Sequence, residues 1–300
     1  MALRGPPSDR DLDALREFGV VNVDKPPGPT SHQVSAWVRD LLEVDRAAHA
    51  GTLDPKVTGC LPVLVGDATR LSRALLTGAK EYVAVLELHG PPPADLDRVV
   101  AEFEAPLLQK PPRKSAVTRR LRVREIYELS PLEQRDRQVL LRIRCESGTY
   151  VRKLCHDLGL ALGVGAHMGD LRRIGTGAFD DTSLVDLYEL TDAIAFAEEG
   201  DEEALREVLL PAEGALTHLP RVIIAESAAR EVATGAQVYS PGVIDVKPAE
   251  RGDDDTIPDP AEEPLVACYT PNGAAVCLGE LVGDHDAERG IVVRLNRVLV

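Results

Sequence analysis

Few constellations in this sequence are ready for chemistry. There is no Gly-rich phosphate loop, no zinc-ligand cluster and no nucleophilic Ser/His/Asp spacing. "GLALGVG" is glycine-rich but follows a helical stretch instead of a strand, which argues against a dinucleotide site. His32 and His49 are the only histidines in the first motif region, too few for a metal centre. What remains is "HAGTLDP" at 49–55, where Asp54 stands between a glycine-containing turn and a proline. Its carboxylate can be a turn former, a helix N-cap or the group that does chemistry, and local spelling alone favours the turn or helix start. The second feature is "KPPRKSAVTRRLRVR" at 110–124, with seven basic residues and no acidic one before Glu125. In a chain of net charge -15 such a block is an electrostatic footprint for nucleic acid.

The elements that must position these residues follow from periodicity. "GVVNVD" (19–24) reads as a strand, stopped by Lys25-Pro-Pro-Gly-Pro. Thr30 and Gln33 stand at capping-box spacing before a helix whose apolar stripe is Val34, Trp37, Val38, Leu41 and Leu42. "HAGTLDPKVTG" falls in the loop that follows, ahead of an apolar "CLPVLVG". "KEYVAVLELHG" (80–90) and "QVLLRIRCESG" (138–148) alternate as strands, the latter with Val139, Leu141, Ile143 and Cys145 on one face. "TYVRKLCHDLGLALG" (149–163) predicts a helix burying Val151, Leu154, Cys155 and Leu158, with Arg152 off that face. Further helices are expected at 183–198 and 201–210. From Leu219-Pro220 onward short strand-like runs predict a small β-rich domain, interrupted by an acidic, proline-broken solvent loop at 251–264.

Length and composition set the outer bounds. Three hundred residues predict one large and one small domain, and 44% hydrophobic residues are enough for a sizeable core. Mean hydropathy is -0.10, no apolar run reaches membrane-spanning length, and the first residues lack a signal-peptide core, so a cytoplasmic protein is expected. Cys60, Cys145, Cys155, Cys268 and Cys277 show no CxxC spacing and are expected to be reduced thiols. The acidity, with 7 Lys against 27 Arg, points to adaptation to high salt.

Six pieces occurring in order carry a family resemblance: "VNVDKPPGPTS", "HAGTLDPKVTGCLPVLVGDATRL", "KEYVA", "QKPPRKSAVTRRLRVR", "SGTYVRKL" and "GVGAHMGDLRRIGTGAF". Together they resemble the TruB/dyskerin family of pseudouridine synthases, closest to its archaeal box H/ACA branch. The resemblance implies an α+β fold: a catalytic domain with a mixed, mainly antiparallel sheet and flanking helices, over residues 17–215. It also implies a small β-barrel-like PUA RNA-binding domain at 219–300, after an N-terminal extension of 1–16. The implied activity is isomerisation of uridine to pseudouridine in RNA, without cofactor or metal. The substrate would be the T-loop uridine of tRNA, rRNA targets chosen by an H/ACA guide RNA, or both. Implied partners are a small zinc-ribbon-like subunit, a Gar-type subunit and a kink-turn-binding subunit. A different class of reading is an RNA-binding scaffold of such a particle that has lost catalysis.

The same resemblance assigns roles. It places the catalytic aspartate at Asp54 and matches Arg152 to the arginine that would pair with it, keeping the carboxylate ionised and oriented. Read alone, Arg152 is a surface helix arginine. Tyr82 matches the aromatic that stacks on an extruded base, because a uridine cannot be turned over inside a stacked helix; read alone it is strand core. Tyr150 and Leu171 match further pocket positions. His49 matches the histidine that displaces or braces the flipped nucleotide, although Ala48 stands where the family often has glycine. Lys25 matches a lysine that braces the site. Arg113, Lys114, Arg119 and Arg120 match a segment near the substrate cleft and would contact RNA phosphates.

Overall fold

The computed structural model describes residues 3–111, 118, 120–250, 260–262 and 264–300. Arg113, Lys114, Arg119 and most of the acidic loop expected at 251–264 lie outside them. The first part of the chain runs α1 (Leu12–Glu17), β1 (Phe18–Lys25), α2 (Ser31–Leu41), β2 (Ala47–His49), β3 (Thr58–Gly66), α3 (Ser72–Thr77) and β4 (Lys80–Leu88). It continues through α4 (Leu96–Ala101), β5 (Pro106–Gln109), β6 (Arg122–Arg135), β7 (Gln138–Cys145), α5 (Val151–Ala161), β8 (Ala166–Thr176) and β9 (Phe179–Asp180). α6 (Leu187–Glu198), α7 (Glu203–Val208) and β10 (Leu210–Pro211) complete this part. The remainder is β11 (Arg221–Ile224), α8 (Glu226–Ala233), β12 (Val238–Tyr239), β13 (Val243–Lys247), β14 (Leu265–Tyr269), β15 (Ala275–Leu281) and β16 (Ile291–Val298).

Two mixed sheets result. The first has the order β10-β1-β3-β8-β4-β7-β6-β5, with β2 on β3 and β9 on β8. Every pairing in it is antiparallel except β3–β8, which is parallel and carried by Thr58 opposite Arg172 and Gly59 opposite Arg173. Gly59 is required there: its φ is +95°, and a Cβ would overlap the Arg173 carbonyl. The second sheet has the order β12-β16-β15-β14-β11-β13.

The expected local signals explain most elements. At the start of α2, Thr30 Oγ1 accepts from the Gln33 N–H at 3.2 Å and Gln33 Oε1 accepts from the Thr30 N–H at 2.8 Å, a reciprocal capping box. Val34, Val38 and Leu42 are buried as the stripe predicts. Trp37 is not: it is 44% exposed and, with half-buried Leu41, faces a groove of about 810 Å³ between α2 and α6. The four alternating residues of β7 and the four apolar residues of α5 are all buried, as expected. Three expectations shift. Part of the anticipated loop is strand, Ala47–His49 and from Thr58 onward. The helix expected at 183–198 starts only at Leu187, where Asp186 caps it. The β-rich tail contains a helix, α8. All five cysteines are buried and free.

The two sheets share one apolar cluster, in which Phe18, Val20, Cys60 and Leu64 meet Ala267, Tyr269, Ala275 and Leu278. The N-terminal segment strengthens this junction. Arg4 donates to the Leu299 carbonyl, and buried Arg10 forms a two-pronged pair with Glu213 at 2.8 and 2.6 Å. Glu213 also accepts from the Ala275 N–H of β15 at 3.1 Å.

Candidate active site

Asp54 begins a tight turn between β2 and β3: the Val57 N–H donates to its carbonyl at 2.9 Å, with Pro55 at the corner. The residue before it is fixed by Ser31, the first residue of α2. Ser31 Oγ accepts from the Leu53 N–H at 2.9 Å and donates to the Leu53 carbonyl at 3.1 Å, while the Leu53 side chain is buried. The residues after it are fixed by Lys25, at the end of β1. Its ammonium donates to the carbonyls of Pro26 (2.9 Å), Pro55 (3.0 Å) and Val57 (2.9 Å), which uses all three of its hydrogens. The Gly28 N–H adds a bond to Pro55 at 2.8 Å. Lys25 is completely buried; burial lowers its pKa, and the nearby Asp54 charge pulls it back up. Its hydrogens hold backbone, so Lys25 shapes the turn while the Asp54 carboxylate projects outward.

Arg152 meets that carboxylate, Nη2 donating to Oδ2, although 98 residues separate the two in sequence. It sits in the first turn of α5, whose N-cap, Tyr150, supplies no side-chain cap. Buried Gln109 of β5 holds that position instead, accepting from the Tyr150 N–H at 2.8 Å and donating to its carbonyl at 3.4 Å. The side chains of Arg152 and Asp54 are 55% and 58% exposed. An ion pair that wet adds at most about 1 kcal/mol to folding, so stability is a poor reason for it. Its strength rises once a ligand covers it and lowers the local dielectric.

Tyr82 and Leu171 are diagonal neighbours on one face of the β4–β8 ladder, where Tyr82 opposes Arg173 and Ala84 opposes Leu171. Both pack on the main core, Leu171 buried and Tyr82 half-buried. Arg173 is the residue the sequence reading missed. Its side chain is 1% exposed and pairs with no carboxylate among the described residues. Nε donates to the Cys60 carbonyl at 2.7 Å and Nη2 to the Gly51 carbonyl at 3.1 Å, with Tyr82 opposite Arg173 in the β4–β8 ladder. Burial raises the Tyr82 pKa and the Arg173 charge opposes that rise. Gly51, with φ +86°, brings the loop against this guanidinium: a Cβ there would lie 3.1 Å from Nη1. One buried cation therefore ties "HAGTLDP" to β8, at the position facing Tyr82 of β4. The neighbouring Arg172 grips Asp24 of β1 through two bonds of 2.9 Å.

His49 ends β2, half-buried, with Nε2 2.7 Å from His32 Nδ1 and the two rings stacked at 4.8 Å. Ala48 pairs with Leu64 in the regular β2–β3 ladder. Of the four basic residues expected at the RNA backbone, Arg120 alone is described; it is exposed just before β6. Ser31, Gln109 and Arg173 share a reason for escaping notice. Each acts mainly on backbone atoms of a segment distant in sequence, which leaves no local pattern.

Comparison with known proteins agrees along the chain. Residues 39–92 match the "TruB family pseudouridylate synthase (N terminal domain)", residues 152–217 the "tRNA pseudouridylate synthase B C-terminal domain", and residues 5–35 the "DKCLD (NUC011) domain". A "Probable tRNA pseudouridine synthase B" of Haloarcula marismortui is 63% identical over 300 residues, covering 100% of this chain and 94% of the relative. One of Halobacterium salinarum is 61% identical over 308 residues, covering 100% of both. Among solved structures, a Cbf5-Nop10-Gar1 complex superimposes with a TM-score of 0.91 at 43% identity, covering 99% of this chain and 90% of the other. An H/ACA RNP bound to a substrate RNA containing 2'-deoxyuridine does so with a TM-score of 0.88 at 41% identity and the same coverage. Among the described residues, no helix is long and apolar enough to cross a membrane.

Proposed function

We propose that this chain, which belongs to the TruB family of pseudouridine synthases, isomerises uridine to pseudouridine in RNA with Asp54 as the catalytic carboxylate. The observation that carries the site reading is the Asp54–Arg152 pair, exposed yet built from a turn clamped on both sides by Ser31 and Lys25. In the reaction the N1–C1′ bond breaks, the uracil turns, and a C5–C1′ bond forms as C5 loses a proton and N1 gains one. Asp54 supplies a carboxylate beside the reacting ribose and base, and Arg152 holds it aimed. Tyr82, with Leu171 beside it and Tyr150 at the head of α5, receives the extruded base. His49 braces the nucleotide displaced from the stack. Lys25 and Arg173 keep the two sides of the pocket in register. Arg120, with Arg113, Lys114 and Arg119, contacts phosphates.

The substrate is the T-loop uridine of tRNA, target RNA paired to an H/ACA guide, or both. Relatives named as tRNA synthases support the first, and the likeness to a catalytic subunit seen with Nop10, Gar1 and RNA supports the second. In the guided form the partners are that zinc-ribbon-like subunit, the Gar-type subunit and a kink-turn-binding subunit. Residues 17–215 do the chemistry and 219–300 hold RNA as a PUA domain, the first sixteen residues forming an extension that links the two; the protein works in the cytoplasm. The test is to map pseudouridine after incubation in high salt with tRNA alone, and separately with guide RNA, target and partner subunits. Product in neither reaction defeats the enzyme reading in favour of an inactive scaffold. An Asp54→Asn protein as active as wild type defeats the assignment of Asp54.

A further inference from the structure

His32 has no role in the account above, yet it occupies a particular place. It follows Ser31, so it rides on the same first turn of α2 that clamps Leu53. Its Nδ1 is 2.7 Å from His49 Nε2, with the rings stacked at 4.8 Å and 29° apart in plane. The other nitrogen of His49, Nδ1, is buried and has no partner among the described residues. Among the described residues His32 is thus the one side chain hydrogen-bonded to the His49 ring, and it is itself exposed. At 2.7 Å the gap between the rings holds a single proton: one nitrogen donates and the other accepts.

We propose that His32 is a positioning residue, holding the His49 imidazole in one orientation at the mouth of the site so that incoming RNA meets a fixed ring. The proposal rests on the reading of Asp54 and His49 as site residues. The pair is stable while at least one facing nitrogen is unprotonated. If both rings carried protons on their facing nitrogens, two N–H groups would point at each other and His32 would swing into solvent. The charged groups bearing on His49 are His32 from α2 and the Arg173 guanidinium from β8, and both oppose its protonation. Burial acts the same way and is the largest influence, so His49 titrates below the ordinary histidine range. Acid therefore releases the clasp before it affects the backbone bonds that hold Asp54.

The experiment compares His32→Ala, His32→Asn and His49→Ala with wild type in the full chain. Single-turnover pseudouridine formation is followed across pH, in whichever of the two RNA reactions wild type is active. Asn places an amide where Nδ1 stood. His32→Ala is expected to lose about tenfold in rate at neutral pH, the weight of one such hydrogen bond, with an unchanged unfolding midpoint. The acid limb that the clasp produces should be lost with it, because no second ring is left to repel a protonated His49. His32→Asn should recover most of the rate at neutral pH. A His32→Ala protein matching wild type in rate and pH profile, beside an impaired His49→Ala, overturns the proposal. So does a loss that Asn does not restore, which would mean a merely structural role. A fully active His49→Ala overturns the premise about His49 and the proposal with it. Wild type inactive with both RNAs is a failure of the functional reading, visible before any variant is compared.

Discussion

Replacing Arg10 with methionine is the sharpest test of how the two sheets are joined. The Arg10 and Glu213 side chains are 4% and 9% exposed and share bonds of 2.8 and 2.6 Å. Arg10 also donates to the Gly5 carbonyl at 3.2 Å, and Glu213 accepts from the Ala275 N–H at 3.1 Å. Arg10→Met leaves a buried carboxylate with the Ala275 N–H and the more distant Arg4 charge as company, which costs about 3–5 kcal/mol. Arg10→Met with Glu213→Met removes both charges and leaves mainly the Ala275 N–H unpaired, about 1–3 kcal/mol. The double variant should therefore be the more stable of the two. For a chain of this size each kcal/mol moves the midpoint by roughly 2–4 °C, so the single variant should melt about 10 °C low. Thermal and urea unfolding followed by circular dichroism at several KCl concentrations measure both variants. A buried pair is poorly screened, so the penalty should persist at every salt concentration. A double variant no better than the single one, or a penalty that vanishes in high salt, refutes the reasoning.

Three further outcomes follow from the site. Ser31→Ala removes both bonds to Leu53 while sparing every group near RNA; it should lower stability by about 1–3 kcal/mol and slow pseudouridine formation by roughly a hundredfold, the scale of a small misplacement, read by urea unfolding and single-turnover assay. Gly59→Ala meets the Arg173 carbonyl and a φ of +95°; it should destabilise by at least about 1–3 kcal/mol, and a stable variant would dismiss the close approach of β3 to β8. Stability should fall as pH rises above 9, because burial pushes the thiols of Cys60, Cys145 and Cys155 up to about 12 from an ordinary 9.0, so the unfolded chain loses those protons first. Lys80, pulled down to about 8 from 10.5, acts oppositely between those values. Three thiols outweigh one amine, and Cys60→Ala should flatten the alkaline slope in denaturant titrations.

Much of the scaffold was legible because it is written in local periodicity. The Thr30–Gln33 box, the alternation of Val139 to Cys145 and the α5 stripe each depend on residues a few positions apart. Trp37 was misplaced because periodicity gives a face and not what covers it; at that position α2 borders an open groove beside α6. α8 was hidden by the strand-like runs around it. At the site, Asp54, Tyr82 and Arg152 could be named only through a family resemblance. Their local chemistry fits a turn, a core and a surface equally well. Ser31, Gln109 and Arg173 could not be named at all, since what they bond is the main chain of another segment, and any sequence supplies a main chain.

The parallel junction between β3 and β8 has a mechanical meaning. The large sheet is two antiparallel leaves bound along a gutter two residues deep, at Thr58–Arg172 and Gly59–Arg173. Arg172 and Arg173 rivet across it with side chains, to Asp24 on one leaf and to the Cys60 and Gly51 carbonyls on the same leaf. Asp54 hangs from one leaf and Tyr82 from the other. In the function proposed above a nucleotide held between them spans this junction, and whatever free energy couples its grip to the junction acts equally in both directions. On that reading, loosening a rivet weakens the hold on RNA by as much as bound RNA tightens the rivet.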